Sequence, residues 1–162
     1  MESVFEATLS EPVEALEQER DPAPVAVNPP CAELSSHDLG KRGEDAAVRS
    51  LTDRGWQIIV RNWHCSEGEV DIIAKDPDGE LVFVEVKTRH SPGAEQGLGY
   101  EVIPEEAVDE AKRARYVRCA SLFLRSTPYI ERVRFDVIAI TVTGPGRAHL
   151  RHIGRAFEGD DL

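Results

Sequence analysis

Residues 68–89, GEVDIIAKDPDGELVFVEVKTR, hold two apolar runs of strand length around a turn signature. Val, Ile and Phe dominate both runs, as in half-buried or buried strands. DPDG sets Pro in a central turn position and Gly at its end. The segment therefore predicts a hairpin, and any fold for this chain must contain one. Yet charge interrupts both runs, at Glu69 and Asp71 in the first and at Glu85 and Lys87 in the second. Residues two apart share a face of a strand. Glu69, Asp71 and Ile73 point one way, and Phe83, Glu85 and Lys87 share a face of the next strand. If the turn pairs near Asp76 and Gly79, Asp71 lies level with Val84 or Glu85. A bulge or a small register shift is then needed to bring the two carboxylates together.

Two carboxylates a few Å apart in a half-buried site repel each other and need compensation. Lys87 offers one positive charge, and a divalent cation offers two. Oxygen ligands of this kind suit Mg²⁺ or Mn²⁺, completed by water and phosphate oxygens. Such a cation polarises a phosphate and generates a nucleophile, and an adjacent Lys stabilises developing charge. The plainer alternative is a solvated strand face with Glu–Lys cross-strand pairs. Against it stands LVFVEVK, apolar on both sides of Glu85, together with Glu44, which a preceding helix can project toward the same place.

The hairpin has clear neighbours. SHDLGKRGEDAAVRSLTDRG carries Leu39, Gly43, Ala46, Ala47 and Leu51 near helical spacing, with Ser36 or Asp38 as cap and Gly55 as stop. WQIIVRNWHC reads as a strand, so three strands form a meander. Beyond a polar, Gly-rich loop, Pro104 opens a second helix, EEAVDEAKRARYVRCASLFLRS. VRFDVIAITV is a fourth strand, GPGR a turn, AHLRHIG a short fifth strand and RAFEGDDL an acidic end. The order α-β-β-β-α-β-β implies an α/β fold with a mixed sheet, because a helical crossover sets the next strand parallel. The helices lie on opposite faces or both on one.

Residues 1–36 are Pro/Ala-rich and hold eight acids against one base, so they are expected to be a disordered acidic tail. The domain is expected over 37–158, followed by an acidic end at 159–162. The net charge is −11, which by itself does not favour nucleic acid, but more than half of that excess sits in the tail. Cys31, Cys65 and Cys119 are widely spaced and form no CxxC pair. They imply neither a disulfide framework nor a zinc knuckle, and point to a reducing, cytoplasmic compartment. No apolar run is long enough to span a membrane, and the N-terminus lacks a signal-peptide pattern.

GEDAA, GWQIIVRNW, GEVDIIAKD, LVFVEVKTR, AKRAR, RFDVIAI and HIGRAF, in that order from about Leu39 to Phe157, resemble the YraN family of bacterial proteins. The resemblance implies a restriction-endonuclease-like (PD-(D/E)xK) fold, related to the Holliday-junction resolvases. It further implies that Asp71 and Glu85 bind Mg²⁺ or Mn²⁺ with the Val86 carbonyl, that Lys87 is the catalytic lysine, and that Glu44 is the helix-borne catalytic acid of the resolvase-like branch. Glu69 takes a structural role. The chain departs from the family at GLGY, where Leu98 replaces a bulky aromatic and Tyr100 is displaced, which weakens the inference of a substrate contact in that loop.

Arg89 and Lys112 are the candidate phosphate contacts. Arg113 is expected on a solvated helix face. Asp136 is expected to bond Arg134 or backbone. Trp56 and Trp63 are expected in the core, and His90, His149 and His152 on the surface. The functional expectation is metal-dependent hydrolysis of DNA phosphodiesters, with DNA favoured over RNA, branched DNA as one candidate substrate, and a homodimer as in junction-cleaving relatives. The alternative is a non-catalytic module on the same fold that binds nucleic acid or protein.

Overall fold

The computed structural model describes residues 35–91, 108–130, 132–144 and 146–159. Helix α1 (Ser36–Asp53) begins at Ser35, whose hydroxyl accepts from the Asp38 N–H at 3.1 Å. The cap thus falls one residue before Ser36. Asp38 instead occupies the first turn, where its carboxylate meets the positive end of the helix. Gly55, at φ 83°, stops the helix and donates to the Thr52 carbonyl, as the sequence implies. The buried stripe of Gly43, Ala46, Ala47 and Leu51 is made of small residues plus one leucine, so the helix lies close on the sheet. A Cβ at Gly43 would overlap the Thr88 hydroxyl.

Five strands follow the expected order: β1 (Gln57–Cys65), β2 (Gly68–Lys75), β3 (Leu81–His90), β4 (Val133–Gly144) and β5 (Arg147–Phe157). Spatial order equals chain order, β1-β2-β3-β4-β5. β1, β2 and β3 form an antiparallel meander. Helix α2 (Glu110–Leu124) separates β3 from β4, which run parallel, and β5 returns antiparallel. This is the mixed α/β sheet expected.

Alternation along β3 decides where the helices lie. Val82 and Val84 enter a core with Ala47, Leu51, Ile138 and Ile140 beneath α1. Phe83 enters a second core with Tyr116, Cys119, Ala120, Phe135 and Val137 beneath α2. One helix therefore covers each face. Each fully buried large apolar side chain stabilises the fold by roughly 1.5–3 kcal/mol.

Two boundaries differ from expectation. A helix running unbroken from Pro104 is excluded, because Asp109 is extended (φ −67°, ψ 161°) and caps α2 by accepting from the Lys112 N–H at 2.8 Å. Asp is a strong N-cap, and it wins over the helix-compatible spacing upstream. Pro104 itself, most of the Gly-rich loop with Leu98 and Tyr100, and nearly all of the acidic tail lie outside the described residues. β5 is longer than expected: Arg155, Ala156 and Phe157 belong to it, with Phe157 stacked on Phe135 at 4.9 Å.

Candidate active site

The β2–β3 turn sets the site. Gly79 donates to the Asp76 carbonyl at 2.9 Å, closing the turn, and Asp76 donates to the Glu80 carbonyl at 3.0 Å, one residue further on. The Asp76 carboxylate also accepts from the Asp78 and Glu80 N–H groups at 3.0 and 2.8 Å. Gly79 is thus an extra residue in the left-handed region, φ 87°, as in a bulged hairpin. The pairing that results is Lys75 with Leu81, through to Ile72 with Val84. The next pair in this register is Asp71 and Glu85. The one-residue shift that the sequence required is supplied by the turn itself.

Beyond Ile72 and Val84 the ladder ends, and the Asp71 carboxylate accepts the Val86 N–H at 2.7 Å. β1 is irregular at the same level. Asn62, opposite Asp71, has φ 49°, and Val70 and Ile73 both enter the α2 core although three apart. Glu85 is buried, with 1% of its surface exposed. Tyr116 of α2 donates to its Oε2 at 2.6 Å, and the Lys112 ammonium pairs with its Oε1. Tyr116 also accepts the Asp71 N–H at 3.4 Å. Burial and the Glu85 charge push the Asp71 carboxyl up to about 7, against the pull of the Val86 N–H and Lys112. Burial and the charges of Asp71 and Glu85 also raise the Tyr116 hydroxyl, which keeps it a donor.

The other expected residues fall differently. Lys87 and Arg89 share the Glu85 face by alternation, two and four residues along β3. Lys87 is half-buried and Arg89 exposed. Among the described residues neither bonds Asp71 or Glu85. Glu44 is half-buried on α1, which packs on the opposite face of the sheet, and it makes no bond to either carboxylate. Lys112, expected as a phosphate contact, is instead the ion-pair partner of Glu85. Glu69 is exposed and pairs with His64 at 3.4 Å. Arg113 does not lie on a purely solvated face, since its Nε donates to the Val108 carbonyl at 2.9 Å. Among the described residues no three His, Cys, Asp or Glu side chains converge as metal ligands.

Three features go beyond what the local sequence patterns announce. Tyr116 carries no motif of its own, although it stands one turn from Lys112 on α2 and the i, i+4 spacing marks a shared face. Cys65 and Cys119, 54 residues apart, have their sulfurs 3.3 Å from each other. Burial, then Cys65, pushes the Cys119 thiol up to about 12.

The third feature is a polar cluster on the α1 face. Asp136, wholly buried, accepts from Arg134 Nε at 2.9 Å, as expected. It also accepts from Arg134 Nη2 at 3.2 Å and the Arg155 N–H at 3.0 Å, and bonds His152 Nε2 at 2.7 Å. His152 is therefore no surface residue. β4 and β5 slip register around Asp136, Arg155 takes φ 52°, and the carboxylate satisfies the N–H left over. Trp56 and Trp63 pack against the two cores, as expected.

Three comparisons bear on what the chain is. Residues 43–140 match the model of "Uncharacterised protein family UPF0102". A UPF0102 protein of Rhodococcus opacus is 47% identical over 120 residues, covering 74% of this chain and 95% of that one. Another, of Geobacter sulfurreducens, is 42% identical over 132 residues, covering 80% and 97%. Among solved structures, a repair endonuclease from Pyrococcus abyssi aligns with TM-score 0.34 and 19% identity, over 68% of this chain and 41% of its own. SfsA from Pyrococcus furiosus, solved with Ca²⁺, gives 0.35 and 14%, over 74% and 64%. Superpositions that loose carry no argument about activity. No helix among the described residues is long and apolar enough to cross a membrane. By the extent of the family match and the identity to its members, this chain belongs to the UPF0102 (YraN) family.

Proposed function

We propose that the protein is a metal-dependent nuclease that hydrolyses DNA phosphodiester bonds at the Asp71–Glu85 pair. One observation carries the reading: the β2–β3 register brings Asp71 level with Glu85 on the adjacent strand, and Glu85 is buried beside the apolar core under α2. Burial first, and then the charge of Glu85, raise the Asp71 carboxyl. The donor set suits a hard divalent cation, because Asp71, Glu85 and the Val86 carbonyl offer oxygen alone. Bound there, Mg²⁺ or Mn²⁺ would polarise the phosphate and activate water. Tyr116 fixes the Glu85 carboxylate, and the Val86 N–H fixes that of Asp71. Lys87, on the same face, is assigned to the developing charge, and Arg89 to a flanking phosphate. Lys112 must yield Glu85 Oε1 for the cation to reach both oxygens. Glu44 sits on α1, which covers the other face, and would reach the pair only from there. A cytoplasmic, homodimeric enzyme acting on branched DNA remains the finer form of the proposal.

The test incubates the full chain with single-stranded, duplex and branched DNA in Mg²⁺ or Mn²⁺. Cleavage that disappears in Asp71→Ala, Glu85→Ala and Lys87→Ala supports the reading. Absence of cleavage on every substrate overturns it.

A second reading rests on the Lys112–Glu85–Tyr116 contacts. They satisfy both Glu85 oxygens from within the chain, as in a site whose charge is settled without metal. The domain would then be a non-catalytic module that binds nucleic acid or protein. DNA binding that needs no metal and survives Asp71→Ala selects this reading.

A further inference from the structure

On the α1 face a cleft of about 340 Å³ opens between the C-terminal end of α1 and β5, lined by Arg54, Arg134, Asp136, His152, Gly154 and Arg155. Its volume lies in the range of small-molecule sites. The acid pair occupies the opposite face, so the cleft is separate from it. Its cations are not equivalent. Arg134 spends its donors on Asp136, Asp76 and Glu80. Arg54 spends Nε on the Ser50 carbonyl at 3.0 Å, and Arg155 spends Nη2 on both Glu80 oxygens, at 3.2 and 3.5 Å. Nη1 and Nη2 of Arg54 and Nε and Nη1 of Arg155 make no bond among the described residues. Arg54 is exposed at the rim of the cleft, where partial burial lowers its pKa and Asp136 opposes that in part. The left-handed backbone at Arg155 is of the kind that persists where surrounding structure holds it, as at ligand sites.

We propose that this cleft is a phosphate-binding site, with Arg54 and Arg155 supplying forked N–H donors to a phosphate group and Arg134–Asp136–His152 forming its rigid floor. Guanidinium geometry matches phosphate oxygens two at a time. Room beyond a lone phosphate leaves space for what the phosphate is attached to. The site does not depend on the acid pair cutting anything.

The test follows the arginine side-chain N–H resonances of the full-length protein by NMR during titration with inorganic phosphate. Arg54 and Arg155 signals are expected to shift saturably. Arg54→Gln and Arg155→Gln are each expected to weaken binding about tenfold, the equivalent of one charged hydrogen bond. Arg49→Gln, on the exposed side of α1, is expected to change it less than twofold. Both side chains are exposed, so neither substitution empties a core position, and each variant checks the other. Unshifted Arg54 and Arg155 signals, or equal weakening by Arg49→Gln, would overturn the proposal. Competition by a short DNA duplex identifies the phosphate as nucleic-acid backbone, and absence of competition identifies a small phosphorylated molecule.

Discussion

Asp136→Asn tests whether the cluster on the α1 face holds β4 and β5 together. The carboxylate is wholly buried and meets Arg134 twice, His152 once and the Arg155 N–H once. Asn keeps the size and one acceptor oxygen. It loses the charge and turns an N–H₂ toward groups that are themselves donors. Breaking a buried charge pair from one side costs about 3–5 kcal/mol. Arg134 keeps Asp76 and Glu80, both at 2.9 Å, so a loss near 3 kcal/mol is expected at pH 7. The loss should also depend on pH. Burial pushes the Asp136 carboxyl up, but hydrogen bonds from His152 and Arg134 outweigh it and hold it below 3.8. As pH falls, the unfolded chain takes up this proton first. The stabilisation is therefore full above about pH 4 and lost as pH drops through the lower folded value. Urea unfolding of wild type and variant at pH 7, and at successively lower pH, measures both effects. A difference under 1 kcal/mol at pH 7, or one that grows on acidification below pH 4, would refute the reasoning.

Tyr116→Phe deletes the donor to Glu85 Oε2 and should cost about 1.5–3 kcal/mol in urea unfolding, since the acceptor is a buried charge; a neutral result would show that Glu85 finds another donor. Lys112→Met should destabilise by about 3 kcal/mol or more while Glu85 stays ionised. Adding Glu85→Gln should restore most of that, and additive losses would disprove the coupling. Gly79→Ala should cost about 1–2 kcal/mol from backbone conformation alone, because the space around its Cβ is open; thermal unfolding checks it, and an unchanged midpoint counts against the bulge. Cys119, with its thiol pushed to about 12, should resist iodoacetamide at pH 8 in the folded chain. Mass spectrometry showing it alkylated as fast as in urea would contradict this.

The elements were legible where local patterns act alone. The small-residue stripe of α1, the three strands of the meander and the Gly55 stop all follow from spacing and backbone chemistry. What escaped depended on residues far apart in the chain. Tyr116 and Lys112 meet Glu85 across 31 and 27 residues, and no local period announces a buried polar contact between a helix and a strand. His152 looked like a surface residue because its partner, Asp136, lies on another strand. The start of α2 is masked in the sequence because helical spacing continues upstream of a stronger signal, the Asp109 cap. Asp71 and Glu85 were legible as chemistry, but their pairing was not, because it hung on one residue of turn geometry.

That residue gives the hairpin an unusual vulnerability. A single-codon deletion at Gly79 would leave every apolar side chain and both carboxylates in the sequence. Yet β3 would then have to slide past β2 or rebuild its turn, and a slide would offset Asp71 from Glu85. Turn length is thus a variable of the site in its own right. Among relatives of this chain, an insertion or loss between Asp76 and Glu80 would be a stronger sign of altered chemistry than most substitutions in the strands themselves.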